Sequence, residues 1–108
     1  MDAKTQQLCA TIGLIYHNQA KQYDSQIKKG SALLVQTKDK KMKDLIQTSI
    51  HDLTPVRDNI NKLGDFMERE FGKAESKQQI DFATQNLGTP LKKLQEYSDN
   101  CIKMKAFQ

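Results

Sequence analysis

The sequence predicts an all-α protein, an elongated antiparallel bundle of three helices, and three observations carry that expectation. Apolar residues recur every three or four positions through three long stretches instead of alternating as in a strand. Turn residues are scarce, with two prolines and five glycines in 108 residues, which argues against a sandwich or barrel. Hydrophobic residues make up 37% and charged residues 28%, a composition that suits a small core beneath a solvated surface, organised as one helical-bundle domain over residues 1–108.

The first seam runs Leu8, Ile12, Ile15, Gln19, Tyr23, Ile27 and Leu34, with Tyr16 alongside. Lys28-Lys29-Gly30-Ser31 has the features of a helix end, with lysines complementing the dipole. The seam nevertheless continues through Leu33 and Leu34, and a turn at Gly30 would leave helix 1 too short to cover helix 2. The turn is therefore placed at 37–40, leaving a glycine inside helix 1 at a cost of ~1 kcal/mol. The second seam, Met42, Ile46, Ser49, Leu53, Val56, Ile60, Leu63, Met67 and Phe71, has the near-heptad spacing of a coiled coil and is widened by Leu45, Ile50 and Phe66. Gly72 suits a helix C-terminus and Ser76 or Glu75 a new start. The third seam is Ile80, Ala83, Leu87, Leu91, Leu94, Ser98 and Cys101, flanked by Tyr97 and Ile102. Three helices of roughly 32–35 residues form a rod about 50 Å long at ~1.5 Å per residue.

Two Thr-Pro pairs, Thr54-Pro55 and Thr89-Pro90, interrupt helices 2 and 3. The apolar seam keeps its phase across both, so both are read as kinks at similar heights. A break at either proline would instead give four or more helices.

Cys9 and Cys101 are too few for a disulfide framework or a zinc site and are expected as two free, buried thiols. In a three-helix bundle helices 1 and 3 run parallel, which sets the two cysteines about 33 Å apart along the axis at ~1.5 Å per residue. A disulfide needs α-carbons within ~7 Å. Residues 1–15 do not read as a secretory leader, because Asp2 precedes an apolar stretch broken by Thr11 and Gly13. No apolar run reaches the ~18 residues of a membrane span. The expected location is therefore the cytoplasm or nucleus.

Few residues suggest chemistry. His17 and His51 invite comparison with histidine phosphotransfer domains, and Lys21 stands one turn after His17. The His-x-x-Lys-Gly pattern of those domains is absent, however, and Asp52 beside His51 disfavours a second negative group. Glu68 and Glu70 point to different faces, since i and i+2 do not meet on a helix. Asp58 and Asp65 lie one heptad apart on a solvated face. No nucleophile motif or phosphate loop occurs. The sequence therefore predicts no enzyme, no cofactor and no metal site.

Charge is more informative. The net charge is +4, with 8 basic and 3 acidic residues in 1–43, 5 and 8 in 44–89, and 4 and 2 in 90–108. The three-helix topology gathers Lys38, Lys40, Lys41, Lys43, Lys103 and Lys105 at one end as a candidate anion-binding cap. Asp65, Glu68, Glu70, Glu75 and Asp81 collect at the other. Leu14 and Phe82 lie off the seams, which marks either contact with another chain or a misplaced seam. The expected function is a non-catalytic helical protein-interaction module: an adaptor, chaperone-like subunit or assembly component. Its partner would be another protein, helical or acidic, with self-association also compatible. The alternatives are a peripheral binder of anionic lipid or nucleic acid through the lysine end and, third, a phosphotransfer domain.

Overall fold

A computed structural model describes residues 1–107 as four helices: α1 (Ala3–Gln36), α2 (Lys40–Phe71), α3 (Lys77–Gln85) and α4 (Leu91–Ala106). No strand occurs among the described residues. Local chemistry accounts for most of the boundaries. The Asp2 carboxylate accepts the Thr5 backbone N–H at 2.7 Å and caps α1. That bond holds the carboxyl below its ordinary pKa. Asp39 caps α2 by accepting the Lys41 N–H. Gly72, at φ 92°, ends α2 in a conformation that disfavours any side chain. Ser76 and Gln79 then form a reciprocal capping box that starts α3. Gly30 lies inside α1 as expected, and a Cβ there would come 3.3 Å from Ile50 of α2.

The two prolines behave differently, which corrects the three-helix expectation. Pro55 sits within α2, exposed itself, and the helix continues through it. Pro90 instead opens α4, and the chain reverses across residues 86–90. Asn86-Leu87-Gly88-Thr89 serves as the loop that the unbroken apolar phase concealed. The Asn86 N–H closes the end of α3 on the Phe82 and Ala83 carbonyls, and the Thr89 N–H returns to the Asn86 carbonyl at 2.9 Å.

Gln19 of α1 locks this reversal by donating its side-chain amide to the Leu87 and Thr89 carbonyls. That contact explains a polar residue in the first seam. α3 therefore runs parallel to α1, from Gln79 on the Gln7 carbonyl to the loop on Gln19. α4 then returns antiparallel to α1 and brings Ser98 to Tyr16 and Cys101 to Cys9. The two cysteines form a disulfide with α-carbons 5.9 Å apart. The expectation of two free thiols is overturned because the separation it used assumed that helix 3 never turned back.

The core occupies one half of the molecule. Cys9, Ala10, Ile12, Ile15, Tyr16 and Ala20 of α1 meet Ile60, Met67 and Phe71 of α2, Ala83 of α3, and Leu94 and Cys101 of α4. α1 and α2 cross closely at Gly13 and Gly64, where a Cβ on Gly13 would stand 3.2 Å from the Gly64 carbonyl. The Tyr16 hydroxyl lies 3.1 Å from Ser98 Oγ. Ser98 donates its own proton to the Gln95 carbonyl at 2.9 Å, so Tyr16 is the donor to Ser98.

Burial pushes the Tyr16 phenol above its ordinary pKa. The unfolded chain therefore ionises first, and the stability this group contributes is present below the ordinary tyrosine pKa and lost as pH rises past it. Tyr16→Phe should cost about 1 kcal/mol at neutral pH and flatten the alkaline fall in stability. Denaturant melts of both proteins at neutral and alkaline pH measure that difference directly.

Beyond the Asp24–Arg57 ion pair at 2.7 Å, the α1–α2 hairpin projects without α3 or α4 beside it. In this arm, residues 25–56, only Ile27 is buried among the described side chains. The molecule measures 57 × 26 × 19 Å, long in keeping with that projection.

Candidate functional site

The structure separates the six lysines expected at one end. Lys38, Lys40, Lys41 and Lys43 stay exposed at the tip of the arm. Lys103 and Lys105 lie at the far end of the molecule, because α4 runs back toward the C-terminus of α2. Lys105 donates to the Glu70 carboxylate at 2.8 Å and to the Glu70 carbonyl at 2.6 Å. Its ammonium also lies 5.2 Å from the centre of the Phe71 ring. These bonds, the hydrogen bond first and the lysine charge second, hold the Glu70 carboxyl below its ordinary pKa. Charge segregation therefore survives only at the arm, which carries six lysines against three aspartates, a net of +3 of the chain's +4.

The arm also leaves its seam open. Leu34, Ile46, Ile50 and Leu53 are only half-buried between the two helices, and Leu33, Val35, Met42 and Leu45 are exposed. In the other half of the molecule the corresponding positions Ile60 and Met67 are covered. Of the two off-seam residues, Leu14 packs partly buried against the core and Phe82 stays exposed on α3. Neither belongs to the arm.

At the neck, Arg57 is bonded to both Asp24 and Asp58. Lys28 also reaches Asp24, at 2.9 Å. The hydrogen bond from Lys28, then that from Arg57, keep the Asp24 carboxyl below its ordinary pKa. This network ties α1 to α2 where the arm begins.

A second constellation lies in an open groove of about 690 Å³ along α1 and α2, lined by Leu14, His17, Asn61, Arg57, Glu68 and Lys73 among others. His17 Nδ1 stands 3.1 Å from Asn61 Oδ1. Its Nε2 faces Asp65 at 3.3 Å and Glu68 at 3.5 Å. The ring lies over Gly64, where a Cβ would come 2.8 Å from Nε2. Two carboxylates around Nε2 and an amide on Nδ1 leave a phosphoryl group no favourable approach to His17. His51 is exposed on the arm beside Asp52 at 3.5 Å. Glu68 and Glu70 diverge as their spacing requires, one to His17 and the other to Lys105.

Sequence reasoning missed this cluster because His17 and its carboxylate neighbours belong to different helices. The signal was nonetheless within reach. Reflection through the turn at 37–40 sets residue 17 level with about residue 60, and Asn61, Asp65 and Glu68 follow on one face of α2.

The fold and these two features define a disulfide-tied helical protein with a projecting two-helix arm. No protein-family model, curated protein or solved structure matches the chain. No helix among the described residues is long and apolar enough to cross a membrane.

Proposed function

We propose that the chain is a non-catalytic interaction module whose arm receives an acidic amphipathic helix from a partner protein. The observation that carries this reading is the incompletely covered arm, where Leu34, Ile46, Ile50 and Leu53 are only half-buried and Leu33, Val35, Met42 and Leu45 are exposed. Elsewhere α1 and α2 bury their facing residues beneath a short helical hairpin, whereas on the arm no third element among the described residues lies over them. A third helix laid on this pair would remove exposed apolar surface from water at about 25 cal/mol per Å². Lys28, Lys29, Lys38, Lys40, Lys41 and Lys43 give the arm its net positive charge and favour an acidic occupant. The Cys9–Cys101 disulfide, 0% and 5% exposed, supports an oxidising compartment as the place of action instead of the cytoplasm expected from the sequence.

Two arm variants test the reading: Leu33→Ser with Leu45→Ser, and Lys38, Lys40, Lys41 and Lys43 all changed to Gln. Both sets are exposed, so each substitution should shift stability by no more than about 0.5 kcal/mol. Native extract is passed over wild-type and variant protein, and retained proteins are compared by mass spectrometry. A specific protein partner should be lost with the leucine variant and weakened, in a salt-dependent manner, with the lysine variant. Retention of the same proteins by the leucine variant would refute helix docking. The lysine tip by itself supports a second reading, binding to anionic lipid or nucleic acid. That reading requires salt-sensitive binding to anionic vesicles or DNA that the lysine variant loses and the leucine variant keeps.

A further inference from the structure

We infer that His17, Asp65 and Glu68 bind a divalent transition metal, with zinc the best fit. Their ligand atoms, one imidazole nitrogen and two carboxylate oxygens, lie within 4.8 Å of one another. Zinc bonds of about 2.0–2.2 Å set ligand atoms of a tetrahedral site roughly 3.3–3.5 Å apart. Two of the three edges, from Nε2 to Asp65 at 3.3 Å and to Glu68 at 3.5 Å, already match, and the two carboxylates lie within 4.8 Å of each other.

The surroundings support the same chemistry. Asn61 Oδ1 stands 3.1 Å from Nδ1 and suits a hydrogen bond donated by that nitrogen, so Nε2 is the nitrogen turned to the two carboxylates and would bind the ion. An outer partner on the second ring nitrogen is the usual device that orients a metal-binding imidazole. Gly64 provides the space for the ring, since a Cβ there would overlap it. Asp65 and Glu68 stand at i and i+3 of one helix, and His17 approaches from the other across the close Gly13–Gly64 crossing. The three groups therefore rest on two rigid elements. The side chains of His17 and Glu68 are 22% and 26% exposed and that of Asp65 is 69% exposed, so the open side of the site can take water as a fourth ligand. Two carboxylates neutralise a divalent ion, and one imidazole among three ligands favours zinc over calcium or magnesium, which prefer larger all-oxygen shells. This site lies on the core half of the molecule and does not depend on the arm.

The competing account is an imidazolium held by two ion pairs, and zinc titration separates the two. Tag-free, chelator-treated full-length protein is titrated with zinc against a chromophoric chelator at neutral pH. One equivalent should bind. His17→Gln should weaken binding at least 100-fold, Asp65→Asn and Glu68→Gln should each weaken it, and the positioning variant Asn61→Ala should cost about 10–100-fold. His51→Gln should bind as wild type does. Zinc at a hundredfold excess over Kd should raise the Tm by roughly 10 °C, and His17→Gln should abolish that rise. Far-UV circular dichroism and metal-free melts of each variant report whether it folds. Should His17→Gln prove unfolded, Glu68→Gln and Asn61→Ala carry the comparison. Absence of stoichiometric binding, or equal affinities of His17→Gln and His51→Gln, would overturn the assignment.

Discussion

Removal of the disulfide by Cys9→Ala with Cys101→Ala should cost about 4.6 kcal/mol, the loop-entropy value for cysteines separated by 92 residues. At this chain length that corresponds to a fall in Tm of roughly 20 °C. The expected loss is large because the bond closes nearly the whole chain and fastens α4, which otherwise holds to α1 through few contacts: Tyr16 with Ser98, and the packing of Leu94 and Cys101. Alanine avoids burying an unpaired hydroxyl at positions that exclude water. Thermal melts of the variant, beside the wild type with and without reductant, measure the effect. Thiol titration of the unfolded, unreduced wild type should find no free thiol, and a peptide map should contain the Cys9–Cys101 link. Two titratable thiols would contradict the reversal at residues 86–90.

Leu94→Asp should destabilise by more than about 4 kcal/mol, because it places a carboxylate where the native side chain is 0% exposed. Ile60→Asp should behave similarly from the α2 side, where the native residue is 3% exposed. Leu45→Asp, on the arm at 63% exposure, should stay within about 0.5 kcal/mol of wild type. Urea denaturation of the three variants makes the comparison. A large loss from Leu45→Asp would mean that the arm seam is already covered in solution. A small loss from Leu94→Asp would mean that α4 does not belong to the core.

Much of the local structure is legible in the sequence. The continuous α1 through Gly30, the turn near 37–39, the stop at Gly72 and the new start at Ser76 all follow from short-range preferences. Each depends on a capping side chain, a glycine φ or a 3.6-residue period. The seam positions Ile12, Ile15, Ile60, Met67, Ala83 and Leu94 are core residues in the folded chain. Of the three polar seam positions, Gln19 and Ser98 were the informative exceptions. Each is polar because it holds a partner distant in sequence, the 86–90 loop in one case and Tyr16 in the other. Ser49 has no such role, since it lies on the exposed arm.

The sequence by itself determined the helical stretches, the turn after α1, the end of α2 and the start of α3, and which stripe each turns inward, because capping and periodicity act within a few residues; the end of α3 and the start of α4 it did not. Only the tertiary structure decided the direction of α4. Pro55 and Pro90 interrupt equally regular seams, and a seam retains its phase whether the chain bends or folds back. The choice was made by Asn86-Leu87-Gly88-Thr89 docking its carbonyls on Gln19, about seventy residues away, a contact with no short-range signature. That one reversal joined Cys9 to Cys101 and moved Lys103 and Lys105 to the acidic end, while leaving the arm without a third helix. The His17 cluster has the same origin, since its ligands meet only once α1 and α2 lie side by side in register.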